Sequence, residues 1–303
     1  MIHPTIAALI REVAEDNASG AVELTKKATQ ALLLFSDETS AQDLSQFLSE
    51  FTTAGRELIR AQPSMAPLFN LVNSVLSSLD AAENVGEARR IVKAAASAFA
   101  EDLDVSGDKI AKQALPLISD GATIMTHSRS STALRALFLA KDKGRNFAIL
   151  CTESRPICEG RQLAKQLAQQ GIDVTLVTDA AVAHFMNQVD LAMVGADSIS
   201  SKGLVNKMGT HALALAANAH GVPFYALCGI EKFLPSDCPH MEIELKDPRE
   251  IWEDSPGGVT VLNYYFDLTP LEFVSTVVTE KGLLGSADVL KMVSQLQTHK
   301  LLI

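Results

Sequence analysis

The feature that most constrains this chain is a change of hydrophobic period near residue 118. Upstream, apolar residues recur at helical spacing: Ile6, Leu9, Ile10 and Val13 follow i, i+3, i+4, i+7, and so do Leu44, Phe47, Leu48 and Phe51. Downstream, the short apolar runs ATIMT, FAILC, VTLVT, LAMVGA and PFYALC alternate with helical segments, the rhythm of βαβ units that build a mainly parallel sheet. The pattern predicts an α/β protein with an N-terminal helical bundle domain over residues 1–117 and a C-terminal α/β domain over residues 118–303. Helix breaks are expected at Asn17 to Gly20, at Ser36 to Ser40 and at Gln62-Pro63-Ser64, the last with Ser64 as a cap for the next helix. A long helix then runs from about Gly86 through Ile118, with an interruption allowed at Val105 to Gly107. Lys246 to Gly258, rich in charge, proline and glycine, reads as a surface loop or a segment that crosses a subunit boundary.

A length of 303 residues allows two domains and a large core. Lys and Arg number 26 against 36 Asp and Glu, a formal charge of -10 that argues against a phosphate-backbone footprint on nucleic acid. A small anion in a local basic pocket, or a protein partner, stays open. Cys151, Cys158, Cys228 and Cys238 have neither zinc-type nor disulfide-framework spacing, so reduced and mostly buried thiols are expected, with no metal. The N-terminal stretch has no uninterrupted apolar core of the signal-peptide kind, and no segment approaches the roughly 20 apolar residues of a membrane span. A soluble cytoplasmic protein without a membrane contact is expected.

Open α/β sheets bind ligands at the C-terminal ends of their strands, and four such loops carry polar residues. After ATIMT comes His127-Ser128-Arg129-Ser130-Ser131-Thr132, where hydroxyls and free N–H groups at a helix start suit a phosphate; ordinary N-capping is the competing reading. After FAILC comes Glu153-Ser154-Arg155-Pro156, where Arg155 either forks onto a phosphate or carboxylate or pairs with Glu153 or Glu159. After LAMVGA, Asp197 is a candidate acid/base or an aspartate that turns its own loop, and the chain returns through a short loop to Asn206 and Lys207 before a helix start at Gly209-Thr210. After PFYALC, Lys232 offers one more ammonium. His127 and His211 lack metal-type spacing, and no G-x-G-x-x-G follows any strand, so neither a metal nor a dinucleotide cofactor is expected.

Three segments in order, ESRPICEGRQLAKQLAQQGIDVTLVTDAA, VGADSISSKGLVNKMGTHALALAA and FDLTPLEFVSTVVTEKGLL, resemble the translation initiation factor 2B alpha/beta/delta family. Its superfamily includes ribose-1,5-bisphosphate isomerase and methylthioribose-1-phosphate isomerase. The likeness spans roughly residues 110–285, with a weaker echo in SGAVELTKKATQALL near the start. It implies a Rossmann-like C-terminal domain, a ligand held between the two domains, and homodimers built on the α/β domain, with higher oligomers or related subunits open. Asn263, Phe266, Asp267, Thr269 and Pro270 match a near-C-terminal motif expected to shape fold and dimer contact. By position, Asp197 matches the isomerases' catalytic aspartate, Asn206 and Lys207 their substrate contacts, Arg155 a phosphate-binding arginine and Lys232 a lysine after the next strand.

Three positions depart from the isomerases. Ser128 stands where they carry a catalytic cysteine, Ser19-Gly20 where they have Arg-Gly, and Gln62-Pro63-Ser64 where they have Arg-Pro-Thr. A serine hydroxyl needs an adjacent base to be activated, and the sequence shows none beside Ser128. The leading expectation is therefore a regulatory, non-catalytic subunit of initiation factor 2B alpha type. Its pocket, with Gly20, Ser128, Arg129, Ser130, Ser131, Arg155, Asp197, Asn206, Lys207 and Lys232, would bind a monophosphorylated sugar or a nucleotide. The alternative is an aldose-ketose isomerase of a phosphorylated sugar in which Asp197 and Ser128 are catalytic.

Overall fold

The computed structural model describes residues 3–17, 19–238 and 243–303. Five helices come first: α1 (Pro4–Glu15), α2 (Ala21–Glu38), α3 (Leu44–Ala61), α4 (Ala66–Leu79) and α5 (Val85–Ala114). Their start signals are local. Pro4 and Pro67 sit in first turns, where a missing N–H removes no helical bond, and Asp43 and Asn84 accept the N–H groups of Gln46 and Glu87 at 2.8 and 3.0 Å. The α3–α4 junction differs from expectation in its cap. Met65 rather than Ser64 precedes α4, because Gln62 is drawn into the interior, where its Nε2 donates to the Val13 carbonyl at 3.0 Å. Nor does α5 break at Val105 to Gly107. Gly107 is a contact residue, since a Cβ there would stand 2.5 Å from Nη1 of Arg135.

The helices enclose a core in which Phe35 meets Phe47 and Phe51 edge-on, with centroids 5.4 and 5.5 Å apart. Burying one such ring contributes about 2–3 kcal/mol. Val205, Leu234, Tyr265, Phe266 and Leu302, all from the second half of the chain, join this core. In return Ile110, Ala111 and Ala114, at the C-terminal end of α5, pack into the core beside the sheet.

The second half alternates β1 (Ala122–Thr126), α6 (Ser131–Asp142), β2 (Phe147–Thr152), α7 (Glu159–Gln169), β3 (Asp173–Val177), α8 (Val182–Phe185) and β4 (Leu191–Val194). A hairpin of β5 (Ser198–Ser200) and β6 (Gly203–Lys207) follows, then α9 (Thr210–Ala219), β7 (Phe224–Leu227), β8 (Phe266–Thr269), β9 (Thr276–Thr279), β10 (Gly282–Leu284) and α10 (Ser286–Gln295). The seven-stranded sheet has the order β10-β9-β7-β4-β1-β2-β3. Every neighbouring pair is parallel except β9 with β10. The expected short loop between Asp197 and Asn206 is instead the β5–β6 hairpin, whose second strand also pairs antiparallel with β8. Gly203 permits that pairing, because a Cβ there would lie 2.4 Å from the Thr269 carbonyl oxygen. From β1 the chain runs outward through β2 and β3 and then returns to the other side of β1 with β4. The crevice between the C-terminal ends of β1 and β4 is thus a topological switch point, where sheets of this kind take ligands.

Candidate functional site

At that switch point the loops after β1 and β4 open into a cleft whose empty space, mouth included, is about 840 Å³. The loops after β1 and β2 are each held in an uncommon conformation. Ser128 and Ser154 both adopt left-handed backbone, with φ of 66° and 63°, at a cost on the order of 1 kcal/mol or more each. Hydrogen bonds hold both: the Ser128 N–H donates to Ser154 Oγ at 2.8 Å, and the N–H groups of Ser154 and Arg155 donate to the two carboxylate oxygens of Asp179, each at 2.7 Å. His127 serves this scaffold. Its Nε2 lies 2.8 Å from the Met208 carbonyl, which can only accept, so Nε2 carries the proton and Nδ1 accepts from Thr152 Oγ at 2.6 Å. Burial holds the imidazole below its ordinary value, outweighing the upward pull of Asp179. A neutral His127 therefore ties β1, β2 and the approach to α9 together.

Ser128 Oγ donates to Glu159 Oε1 at 2.8 Å, and the same oxygen pairs with Lys207 Nζ at 2.9 Å. This places beside Ser128 a carboxylate acceptor that the sequence did not reveal. Glu159 and Lys207 are both buried, and the Lys207 ammonium also lies 4.7 Å from the Tyr265 ring centroid. The second oxygen of Glu159, Oε2, is buried with no hydrogen-bond partner among the described residues. Gly160, next in the chain, has to be glycine, since a Cβ there would stand 1.8 Å from the Thr152 carbonyl oxygen. That close approach of α7 to the end of β2 delivers Glu159 to Ser128.

Asp197 opens on the same cleft. Burial raises its carboxyl above the ordinary 3.8, against the downward pull of Lys232 and Lys207 and with a smaller upward push from Glu159. The shift is toward the protonated form, the one a general acid uses. Lys232 is 4% exposed, lines the cleft, and has no hydrogen bond or ion pair at its ammonium among the described residues. Asn206 is fixed by donation from Nδ2 to Thr210 Oγ at 2.9 Å, which leaves its amide oxygen available to a ligand hydroxyl.

The N-termini of α2 and α6 complete the wall. Ser130 Oγ caps α6 by accepting the Ala133 N–H at 3.2 Å, and Gly195 lets the end of β4 come alongside, because a Cβ there would be 2.5 Å from that Oγ. At the start of α2, the Gly20 N–H donates to Glu23 Oε2 at 2.7 Å, and Glu23 Oε1 faces Arg129 Nη1 at 3.8 Å. Two helix starts and a guanidinium thus put positive charge on one face of the cleft, part of it met by the Glu23 carboxylate.

Of the residues expected from sequence, Gly20, Ser128, Arg129, Ser130, Ser131, Asp197, Asn206, Lys207 and Lys232 all line this cleft. Arg155 does not. It is exposed, with Nη2 3.4 Å from the Ile251 carbonyl, and the clamp on Asp179 turns it away from the cavity. It pairs with neither Glu153, which takes Arg161 at 2.7 Å, nor Glu159. Glu159, Tyr265 and Phe266 line the cleft without having been expected there. Their only signal was membership of the two motifs at ESRPICEG and near FDLTP. Among the described residues no group of His, Cys, Asp and Glu is placed to hold a metal ion, no helix is long and apolar enough to cross a membrane, and the cysteines are free thiols, Cys151 and Cys228 buried.

The initiation factor 2 subunit family model matches residues 17–286. The ribose 1,5-bisphosphate isomerase of Methanocaldococcus jannaschii is 36% identical over 88% of this chain and 86% of its own length. A putative translation initiation factor eIF-2B subunit 2-like protein of Pyrococcus horikoshii is 33% identical over 93% of this chain and 97% of its own. The crystal structure of the P. horikoshii translation initiation factor eIF-2B superposes with a TM-score of 0.82 at 32% identity, covering 93% of this chain and 98% of that one. With the helical N-terminal region and the seven-stranded sheet in agreement with that likeness, the chain belongs to the initiation factor 2 subunit family.

Proposed function

We propose that the cleft binds a phosphorylated sugar and interconverts its aldose and ketose forms. The observation that carries this reading is the Ser128–Glu159 hydrogen bond at 2.8 Å, in the same cleft as Asp197, whose carboxyl burial shifts toward its acid form. The expectation of a non-catalytic pocket rested on a serine without a base. With Glu159 in place that argument loses its ground, and the relatives named ribose 1,5-bisphosphate isomerase support the catalytic alternative.

An aldose 1-phosphate and its 2-ketose are isomers, so the reaction needs only the movement of hydrogens. Asp197 gives its proton to the ring oxygen as the bond from that oxygen to C1 breaks. The hydrogen on C2 then moves with its electron pair to C1. The C2 hydroxyl becomes a carbonyl, and its proton passes to Ser128 Oγ as the Ser128 proton passes to Glu159. The N-termini of α2 and α6 with Arg129 take phosphate, and Asn206 and Lys232 take sugar oxygens. Incubation with ribose 1-phosphate or ribose 1,5-bisphosphate, followed by carbon NMR for a ketose carbonyl, tests the reading. No ketose from either sugar would overturn it.

The second reading is a regulatory subunit that holds the same ligand without turnover, within a homodimer or a larger set of related subunits. It is supported by the full-length likeness to the P. horikoshii factor. Ligand-dependent stabilisation with no product in the same tubes would favour it.

A further inference from the structure

We infer that Glu159 sets the ligand class of this cleft by neutralising Lys207, so that the site selects a sugar carrying one phosphate over the corresponding bisphosphate. The inference rests on the sugar-phosphate reading above and narrows it.

Charge supplies the argument. Three cationic side chains line the cleft, Arg129, Lys207 and Lys232, against three carboxyl side chains, Asp16, Glu159 and Asp197. Lys207 is committed to Glu159 at 2.9 Å within a pair that is about nine-tenths buried, and Arg129 faces Glu23 at 3.8 Å. Lys232 is the cleft ammonium that makes no salt bridge among the described residues, with the carboxyls of Asp197 and Glu231 as its charged neighbours. One phosphate at the helix starts and one unbridged ammonium can be matched. A second dianionic group would meet the Glu159 carboxylate in a cavity wall that screens charge poorly, and like-charge contact of that kind is a means of rejecting a competing ligand. The buried Oε2 of Glu159, which has no donor among the described residues, is instead suited to a sugar hydroxyl. The neutral Ser19 and the inward-drawn Gln62, both lining the cleft, add no positive charge to offset the carboxylate.

The test is calorimetric titration of the full chain with ribose 1-phosphate and ribose 1,5-bisphosphate, which differ by one phosphate. The wild-type protein is expected to prefer the monophosphate. Glu159→Gln keeps the shape and the acceptor for Ser128 but frees Lys207, and should raise the ratio of bisphosphate to monophosphate affinity by about tenfold or more. Adding Lys207→Gln should cancel that gain. An unchanged ratio in Glu159→Gln, or a gain that survives Lys207→Gln, overturns the inference while leaving the sugar-phosphate reading intact. Failure of the wild-type chain to bind either sugar overturns both. Should Glu159→Gln not fold, Lys207→Gln alone carries the test: an uncompensated Glu159 must then lower the ratio, and an unchanged ratio again counts against the proposal.

Discussion

Asp197 shows how one side chain links stability to chemistry. Its folded-state carboxyl titrates above the ordinary 3.8, with burial as the main cause, so the folded chain binds that proton more tightly than the unfolded chain does. The ionised carboxylate therefore subtracts stability above pH 3.8, increasingly as pH rises through the raised value and then by a constant amount. Asp197→Asn is expected to raise the urea midpoint at pH 7 and to leave it nearly unchanged near pH 4, while lowering ketose formation about 10²–10⁴-fold. Turnover in the wild-type protein should fall on the alkaline side of the same titration, because the acid form is the one that delivers a proton. Ser128→Ala should cost a similar factor in rate with little change in thermal stability, measured on the same NMR assay and by thermal unfolding. Asp197 was legible in the sequence because it stands at the end of an apolar strand run, and Asn206 and Lys207 because they lead into the Gly209-Thr210 helix start. Glu159 was not, because an acidic residue in a helix's first turn is ordinary on electrostatic grounds alone, and only the approach of α7 to β2 makes it Ser128's acceptor.

At the scale of elements, the strands of the parallel sheet could be read directly as apolar runs, while the three-stranded antiparallel sheet could not. β5 is three residues of Ser-Ile-Ser, and β8, the partner of β6, arrives some sixty residues later in the chain, so neither period nor proximity announces it. The same holds for Gly107, whose residue type signals a break but whose place against Arg135 makes it a contact. Where a helix presses on a strand end, substitution should be costly. Gly160→Ala sets a methyl against the Thr152 backbone carbonyl, which cannot rotate aside, and is expected to destabilise by about 2–3 kcal/mol, read as a lower urea midpoint, and to loosen ligand binding with it.

For the whole molecule, Lys246 to Gly258 lies on the surface, with Ile251 and Trp252 43% and 49% exposed and Leu262, just beyond it, 58% exposed. An aromatic and two aliphatic side chains left in water on the α/β half support the proposed homodimer there. Trp252→Glu is expected to shift the mass measured by light scattering toward the monomer, and an unchanged mass would remove this surface from the contact.

The longest helix, α5, carries a consequence for how the chain comes apart. Thirty residues span about 45 Å, with Ala88, Val92 and Ala96 inside the helical core and Ile110, Ala111 and Ala114 inside the core of the sheet. Melting either core strips apolar partners from a rod that the other needs, so heat should find no intermediate with one half folded. Scanning calorimetry should record a single transition whose van't Hoff and calorimetric enthalpies agree, and a ligand gripping α2 and β1 together would move that one peak rather than split it.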